Sequence, residues 1–548
     1  MIIFIELKKT NMKKTYILIA SVFAMGFSVA TQAQTRYLDD VGTEVSVIPN
    51  INYGNNVGII TQTPALETLY MDAYQLEGDT TSNKPVVIML HTGSFLPGIV
   101  NGQATGDKSD NAIVEMCERF AKKGYLAIAL NYRLGWNPVS TSEDVRRKTL
   151  IQAAYRSLQD VKTAVRFLRK TVAEEENPYG IGDRFAVGGY GTGGYISLSL
   201  ASLNDYESEL LMPKFIDTSE ETIAIYGQPV PYIVQSVLGN FEATNYGWHP
   251  AYPDSTVALC VPNHVGYSSE IDMAFNAGGA LPDISWLDAG EVPIASMQCI
   301  TDPDAPYAEG SVIVPTTGEF VITAHGAQLI QEKADSLGNN SIFNELTTTI
   351  TDSWYSNGNG ADNAAIAGHS DLNGLFGIVT PAPSAVQTVC GFELEQGAPW
   401  DWWDNASYGA MADGYHGVPS GTMGCLALLG NPDMSEEKGI AMADMMSEFF
   451  TPRVYVSLVG PISDIGITEE LVEKVNIYPN PANNFITINA NNNTISSVKL
   501  YSVEGKLLRN YTTNETSVII EKNELTNGLY FIELEINKQT IKKSVVFN

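Results

Sequence analysis

Basic side chains are scarce. The chain has 32 Lys and Arg against 62 Asp and Glu, a formal net charge of −30 over 548 residues. That balance argues against nucleic acid and anionic membranes as partners, because both are polyanions. Cysteine is sparse too: Cys117, Cys260, Cys299, Cys390 and Cys425 lie far apart with no Cys-x-x-Cys pair, which leaves no metal-ligand spacing. Their odd number leaves at least one thiol unpaired. Cys117, on the helical stretch IVEMCERFAKKG, reads as a small core residue. The six histidines are dispersed, and the glycines at 188–194 have no phosphate-binding lysine, so neither a metal nor another cofactor is expected. Past the N-terminus no apolar run approaches the ~20 residues of a membrane span.

What remains is an ordinary globular composition, 44% hydrophobic and 17% charged. The length exceeds what one core usually supports, so two or three units are expected. MKKTYILIASVFAMGFSVATQAQ, starting at Met12, has two lysines, an apolar run and small residues ending in TQA. It reads as a secretory signal over residues 1–33, cleaved after Ala33. Between 34 and 460, KPVVIML, YLAIALNY, RFAVGG and EVPIASMQCITD are short apolar runs suited to strands buried on both faces. Leu150, Ala154, Leu158, Val161, Val165 and Leu168 recur in steps of three and four, one face of a long helix. Strands alternating with helices predict a doubly wound, mostly parallel α/β sheet.

Residues 204–291 read as a cap or insertion, NELTTTITD as a strand, and 353–433 as a long loop containing PWDWWD. SEEKGIAMADMMSEFF predicts a closing helix with a serine cap. A linker is expected over 461–472, and from 473 to 548 short alternating strands separated by Asn- and Gly-containing turns predict a small all-β sandwich.

Two resemblances follow from particular motifs. IYPNP, VKLYSVEGKLL, LTNGLYFIEL and a closing KKSVV, in that order, resemble the C-terminal sorting domain of proteins exported by type IX secretion. This implies export to the cell surface or beyond, with the secretion machinery as a partner. LYMDAYQ, VVIMLHTGSF, ALNYRLG and SLQDVKTAVRFLR, followed by GGYGTGGY, resemble the first half of carboxylesterase-like α/β-hydrolases.

The second resemblance implies a set of site residues. Gly93 and Ser94 fall in the loop that lends backbone N–H groups to an oxyanion, with Thr92 and Ser94 replacing two of its glycines. The elbow serine of Gly-x-Ser-x-Gly-Gly falls on Gly191, which has no nucleophilic oxygen. The N–H of Thr192 follows the vacant position and would face the oxyanion; the hydroxyls of Thr192 and Ser94 are poorly placed substitutes. The acid falls on Asp302 rather than Asp304. The base falls on His369, with His416 as the alternative and neither of them as a third; His325 is the poorest candidate. The expected ligand is a small ester or a glycan-linked molecule, bound or hydrolysed with weak or absent serine-hydrolase activity. Trp400, Trp402 and Trp403 are available either for stacking against it or for core packing.

Overall fold

The computed structural model describes residues 35–60, 63–251, 257–314, 317–347, 372–380, 395–460, 475–490, 493–502, 506–536 and 539–548. The signal over 1–33 and the linker over 461–472 lie outside the described residues.

An eight-stranded sheet organises the first unit. Its strands are β1 (Val45–Gly58), β2 (Ala65–Leu76), β3 (Lys84–Leu90), β4 (Leu126–Leu130), β5 (Ile181–Tyr190), β6 (Met273–Ala277), β7 (Ile294–Cys299) and β8 (Leu375–Ile378), in the spatial order β1-β2-β4-β3-β5-β6-β7-β8. β1 and β2 pair antiparallel, as do β2 and β4; every pairing from β4 to β8 is parallel. The continuous apolar run of β3 has a direct cause. Val86, Ile88 and Leu90 enter one core layer while Val87 and Met89 enter the other, so both faces are covered.

The helices α1 (Asn111–Lys122), α2 (Glu143–Glu174), α3 (Thr192–Ser202), α4 (Ala327–Ser336), α5 (Asn405–His416), α6 (Thr422–Ala427) and α7 (Glu436–Leu458) follow in chain order. Leu158 and Val165 of α2, with Ile196 of α3, pack on the Val86 side. Met116 of α1, with Phe449 and Val454 of α7, packs on the Val87 side. The cap of α7 is as its sequence predicts, with Ser435 accepting from the Lys438 N–H at 3.2 Å and Glu436 and Glu437 in the first turn. Ser435→Ala is therefore expected to lower the stability of this unit by about 1 kcal/mol. A urea midpoint identical to that of the parent chain would show the cap to be idle.

Three expectations change. Residues 344–347 of NELTTTITD belong to a 3₁₀ helix, Ser341–Thr347, and its remaining residues lie outside those described. The span 204–291 contains a sheet strand, β6, besides its short irregular elements. The span 353–433 contains β8, α5 and α6.

The second unit is all-β. Strands β9 (Asn476–Tyr478), β10 (Phe485–Asn489) and β13 (Ser517–Glu521) form one antiparallel sheet. Strands β11 (Ile495–Tyr501), β12 (Leu507–Glu515), β14 (Gly528–Ile536) and β15 (Gln539–Phe547) form another. Ile486 and Ile520 from the first sheet meet Val498, Leu500, Ile532 and Leu534 from the second in one core, the two-layer arrangement of a sandwich.

Candidate functional site

β5 runs into α3 through Gly191, which adopts φ 50° and ψ −116°. An L-residue pays for that backbone in strain, whereas glycine adopts it freely. The bend is pinned on both sides: the Gly191 N–H donates to the Ala277 carbonyl of β6 at 2.9 Å, and its own carbonyl accepts from Tyr195 at 3.1 Å. A side chain on residue 191 would point at Thr92, and an ideal Cβ there would lie 2.2 Å from Thr92 Oγ1. The Thr92 hydroxyl thus fills the space that a side chain at the bend would need. It makes no hydrogen bond with the protein among the described residues.

Thr92 stands just after β3, in a loop that turns through positive φ at Gly93, Ser94 and Phe95. Among the described residues the backbone N–H groups of Gly93, Ser94 and Thr192 donate to no protein acceptor. Thr192 opens α3, where an unpartnered N–H also carries the positive end of the helix dipole. Ser94 and Thr192 line one cavity, and Gly93 adjoins Ser94 in the loop.

Two side chains that sequence reasoning passed over hold this loop. His91 is buried, its Nδ1 2.5 Å from the Thr92 carbonyl, and burial lowers its pKa to about 4. It is therefore a neutral structural donor rather than a base. Tyr132 stacks on the His91 ring, with centroids 4.3 Å apart, and donates to the His91 carbonyl at 2.7 Å. Its hydroxyl also lies 3.2 Å from Thr192 Oγ1, which ties that hydroxyl to the loop's support.

Asp302 follows β7, and its carboxylate accepts from the N–H groups of Asp304 at 2.8 Å and Ala305 at 3.0 Å. Burial, with the charge of Asp304 added, pushes the Asp302 carboxyl well above its ordinary range; burial raises Asp304 as well. The residues opposite them are small: an ideal Cβ on Gly397 would lie 2.9 Å from Asp302 Oδ1 and 3.4 Å from Asp304 Oδ2.

The structure does not bring His416 to this acid. His416 ends α5, is exposed, and sets Nε2 2.7 Å from the Ile99 carbonyl. His369 lies outside the described residues, and in chain order it precedes β8 rather than following the last sheet strand. His325 ends a separate strand, Phe320–His325, with Nε2 3.6 Å from Glu309.

These parts enclose one cavity of about 140 Å³. Thr92, Ser94, Gly191 and Thr192 line it together with Asp302, Asp304, Trp400 and Asp401. Trp136, Ile151, Val312 and Ile322 supply apolar wall. Asp401, in PWDWWD, is a lining residue that the sequence did not single out. Trp400 and Trp402 are only 2% and 9% exposed and pack in the core, so they offer no open stacking platform. Trp403 is partly buried beside Tyr408 and Met423. Cys117, Cys260 and Cys299 are buried free thiols, and Cys425 is disulfide-bonded. Among the described residues no group of three or more His, Cys, Asp or Glu could hold a metal ion.

Two family models match parts of the chain. The BD-FAE family model matches residues 71–247, which span β2 to the end of α3 and a stretch beyond it. The secretion system C-terminal sorting domain matches residues 476–548. Among solved structures, Thermogutta terrifontis esterase 2 phosphorylated by paraoxon is 14% identical, with 56% of this chain and 83% of that one covered at a TM-score of 0.28. A truncated carbohydrate esterase from gut microbiota is also 14% identical, with 54% and 86% covered at 0.29. PorZ, a surface component of the type IX secretion system of Porphyromonas gingivalis, is 20% identical over 15% of this chain and 12% of its own, at 0.14. No curated protein matches the chain.

The chain thus carries an esterase-like α/β-hydrolase domain followed by a type IX secretion sorting domain. That tail directs export to the cell surface or outside the cell, through the type IX machinery. Among the described residues no helix is long and apolar enough to cross a membrane.

Proposed function

We propose that this exported protein binds small carboxylic esters or related carbonyl compounds in the cavity, and that classical acyl-serine turnover is weak or absent. One observation carries the reading: the residue at the strand-to-helix bend is Gly191, and the space in front of it is filled by Thr92 Oγ1. The free N–H groups of Gly93, Ser94 and Thr192 suit a carbonyl or carboxylate oxygen. Asp302 retains the position of an orienting acid, but among the described residues no imidazole lies between it and the bend. Without an elbow hydroxyl and its base, N–H donors and binding can still supply about 10³- to 10⁴-fold over water. An acyl-enzyme cycle needs more. A glycan ligand loses support, because Trp400 and Trp402 are inside the core.

The test uses the full chain with p-nitrophenyl butyrate for turnover and phenethyl acetate for calorimetric binding. Binding of the acetate, with hydrolysis no more than about 10⁴-fold above the uncatalysed rate, is the expected result. Turnover in the ordinary enzyme range of about 1–10³ s⁻¹ would overturn it. Gly191→Ser alone would push against Thr92, so it is expected to unfold at a lower urea concentration than the Thr92→Gly/Gly191→Ser double variant. Equal midpoints would show that Thr92 does not occupy the elbow space.

A further inference from the structure

Among the described residues, three carboxyl groups line the cavity and no cationic side chain does. Asp302 and Asp304 both approach the point where a Gly397 side chain would start. Asp401 is only 6% exposed, lines the same cavity, and its carboxyl has no hydrogen-bond partner among the described residues. A buried carboxyl without a partner is costly, and native interiors normally supply one. The sequence offers little to supply it. Residues 348–371 and 381–394, the unlabelled stretches on either side of β8, contain no Lys or Arg and a single histidine, His369. Lys438, on α7, is already held by Gln396, Asn431 and Asp433. Burial, with the charge of Asp110 added, pushes the Asp401 carboxyl up.

The remaining lining favours an organic cation over a bare ion. The described residues form no three-ligand metal cluster, and the walls around the carboxyls are apolar or aromatic. The Tyr195 hydroxyl is buried without a partner, and the Asp302 and Asp304 charges act on it. Aromatic rings beside carboxylates suit an alkylammonium, whose charge meets the acids while its carbon body covers the rings.

We infer that the cavity selects ligands carrying a primary or substituted ammonium group on an apolar body, with Asp302, Asp304 and Asp401 as its counter-charges. This rests on the cavity being the ligand site proposed above: the ammonium would face the carboxyls, and a carbonyl on the same molecule would be free to meet the loop N–H groups.

Calorimetry on the full chain with phenethylamine, phenethyl alcohol, phenylacetate and phenethyl acetate tests it. Hydrogen bonds to charged groups predict that the amine binds about ten-fold or more tighter than the alcohol. Phenylacetate, which brings a like charge, should bind most weakly. Asp401→Asn keeps the side-chain volume and should bring the amine-to-alcohol ratio below about three. Asp304→Asn, at the more open carboxyl, should lower it without touching the core, so a folding defect at residue 401 would not hide the result. Equal affinity for amine, alcohol and ester would overturn the ammonium assignment and leave the cavity as a ligand site. Failure of all four probes to bind would overturn both.

Discussion

Asp160→Asn is expected to cost about 3–5 kcal/mol of unfolding free energy, the range for removing one partner of a fully buried ion pair. Asp160 and Arg133 are both 0% exposed. The carboxylate accepts from the Arg133 backbone N–H at 2.8 Å and from its Nε at 2.9 Å. The remaining guanidinium bonds go to the carbonyls of Val57 at 3.2 Å and Arg156 at 3.1 Å and to Gln159 at 3.0 Å. Arg156 is itself buried, and desolvation beside Arg133 pulls it down to about 9. Losing the Asp160 carboxylate would leave two buried guanidinium groups with Glu67 as the other acid acting on both. The pair joins the end of β4 to α2, the helix that precedes the strand of the bend, so the damage should spread to the site. Asp183→Asn supplies the contrast. Its partner is Arg169 and its side chain is 83% exposed, so no more than about 1 kcal/mol is expected from it. Chemical unfolding of both variants decides the matter; a loss below about 1 kcal/mol at Asp160 would refute the reading of the pair as a keystone.

Gly193→Ala should lower stability by about 3 kcal/mol and abolish ligand binding. An ideal Cβ at this position lies 2.3 Å from the Leu90 carbonyl oxygen and 2.7 Å from that of His91. Both neighbours are backbone, so relief requires α3 to lift from the end of β3. That movement separates the Thr192 N–H from those of Gly93 and Ser94. Gly414→Ala is the matched control: it lies in exposed α5, and a Cβ there meets nothing within 4 Å. It should stabilise by roughly 0.5–1 kcal/mol, the ordinary gain of alanine over glycine in a helix. If Gly193→Ala behaved like Gly414→Ala in thermal unfolding and in phenethyl acetate binding, the close approach of α3 to β3 would be wrong.

The sheet was legible where strands are buried on both faces, because PVVIML and LAIAL leave no polar position to explain. β6 was not. Its five residues, MAFNA, carry Asn276 in mid-strand, and only the fold reveals that the Asn276 side chain donates inside the core to Ser296 Oγ at 2.8 Å. NELTTTITD invited a strand through its β-branched threonines, yet its first residues coil into a 3₁₀ turn. The last described strand of the sheet is the four-residue LFGI, and His369 precedes it in a stretch outside the described residues. A tight loop after β3, a bend at Gly191 and an acid after β7 were readable from motif spacing. Asp401 was not, because burial without a partner is a property of tertiary packing. Nor was the meeting of Thr92 with Gly191, since nothing local links residues on two different strand ends.

That meeting has a consequence for how the molecule can change. Placing an oxygen on residue 191 while Thr92 stays forces two atoms into one volume, and trimming Thr92 first opens a void beside the bend. Either path between the present pocket and one armed with an elbow serine crosses a form worse than both ends. Drift at a single codon would therefore leave the site as it stands, and a switch of chemistry here would have to arrive as a coordinated pair.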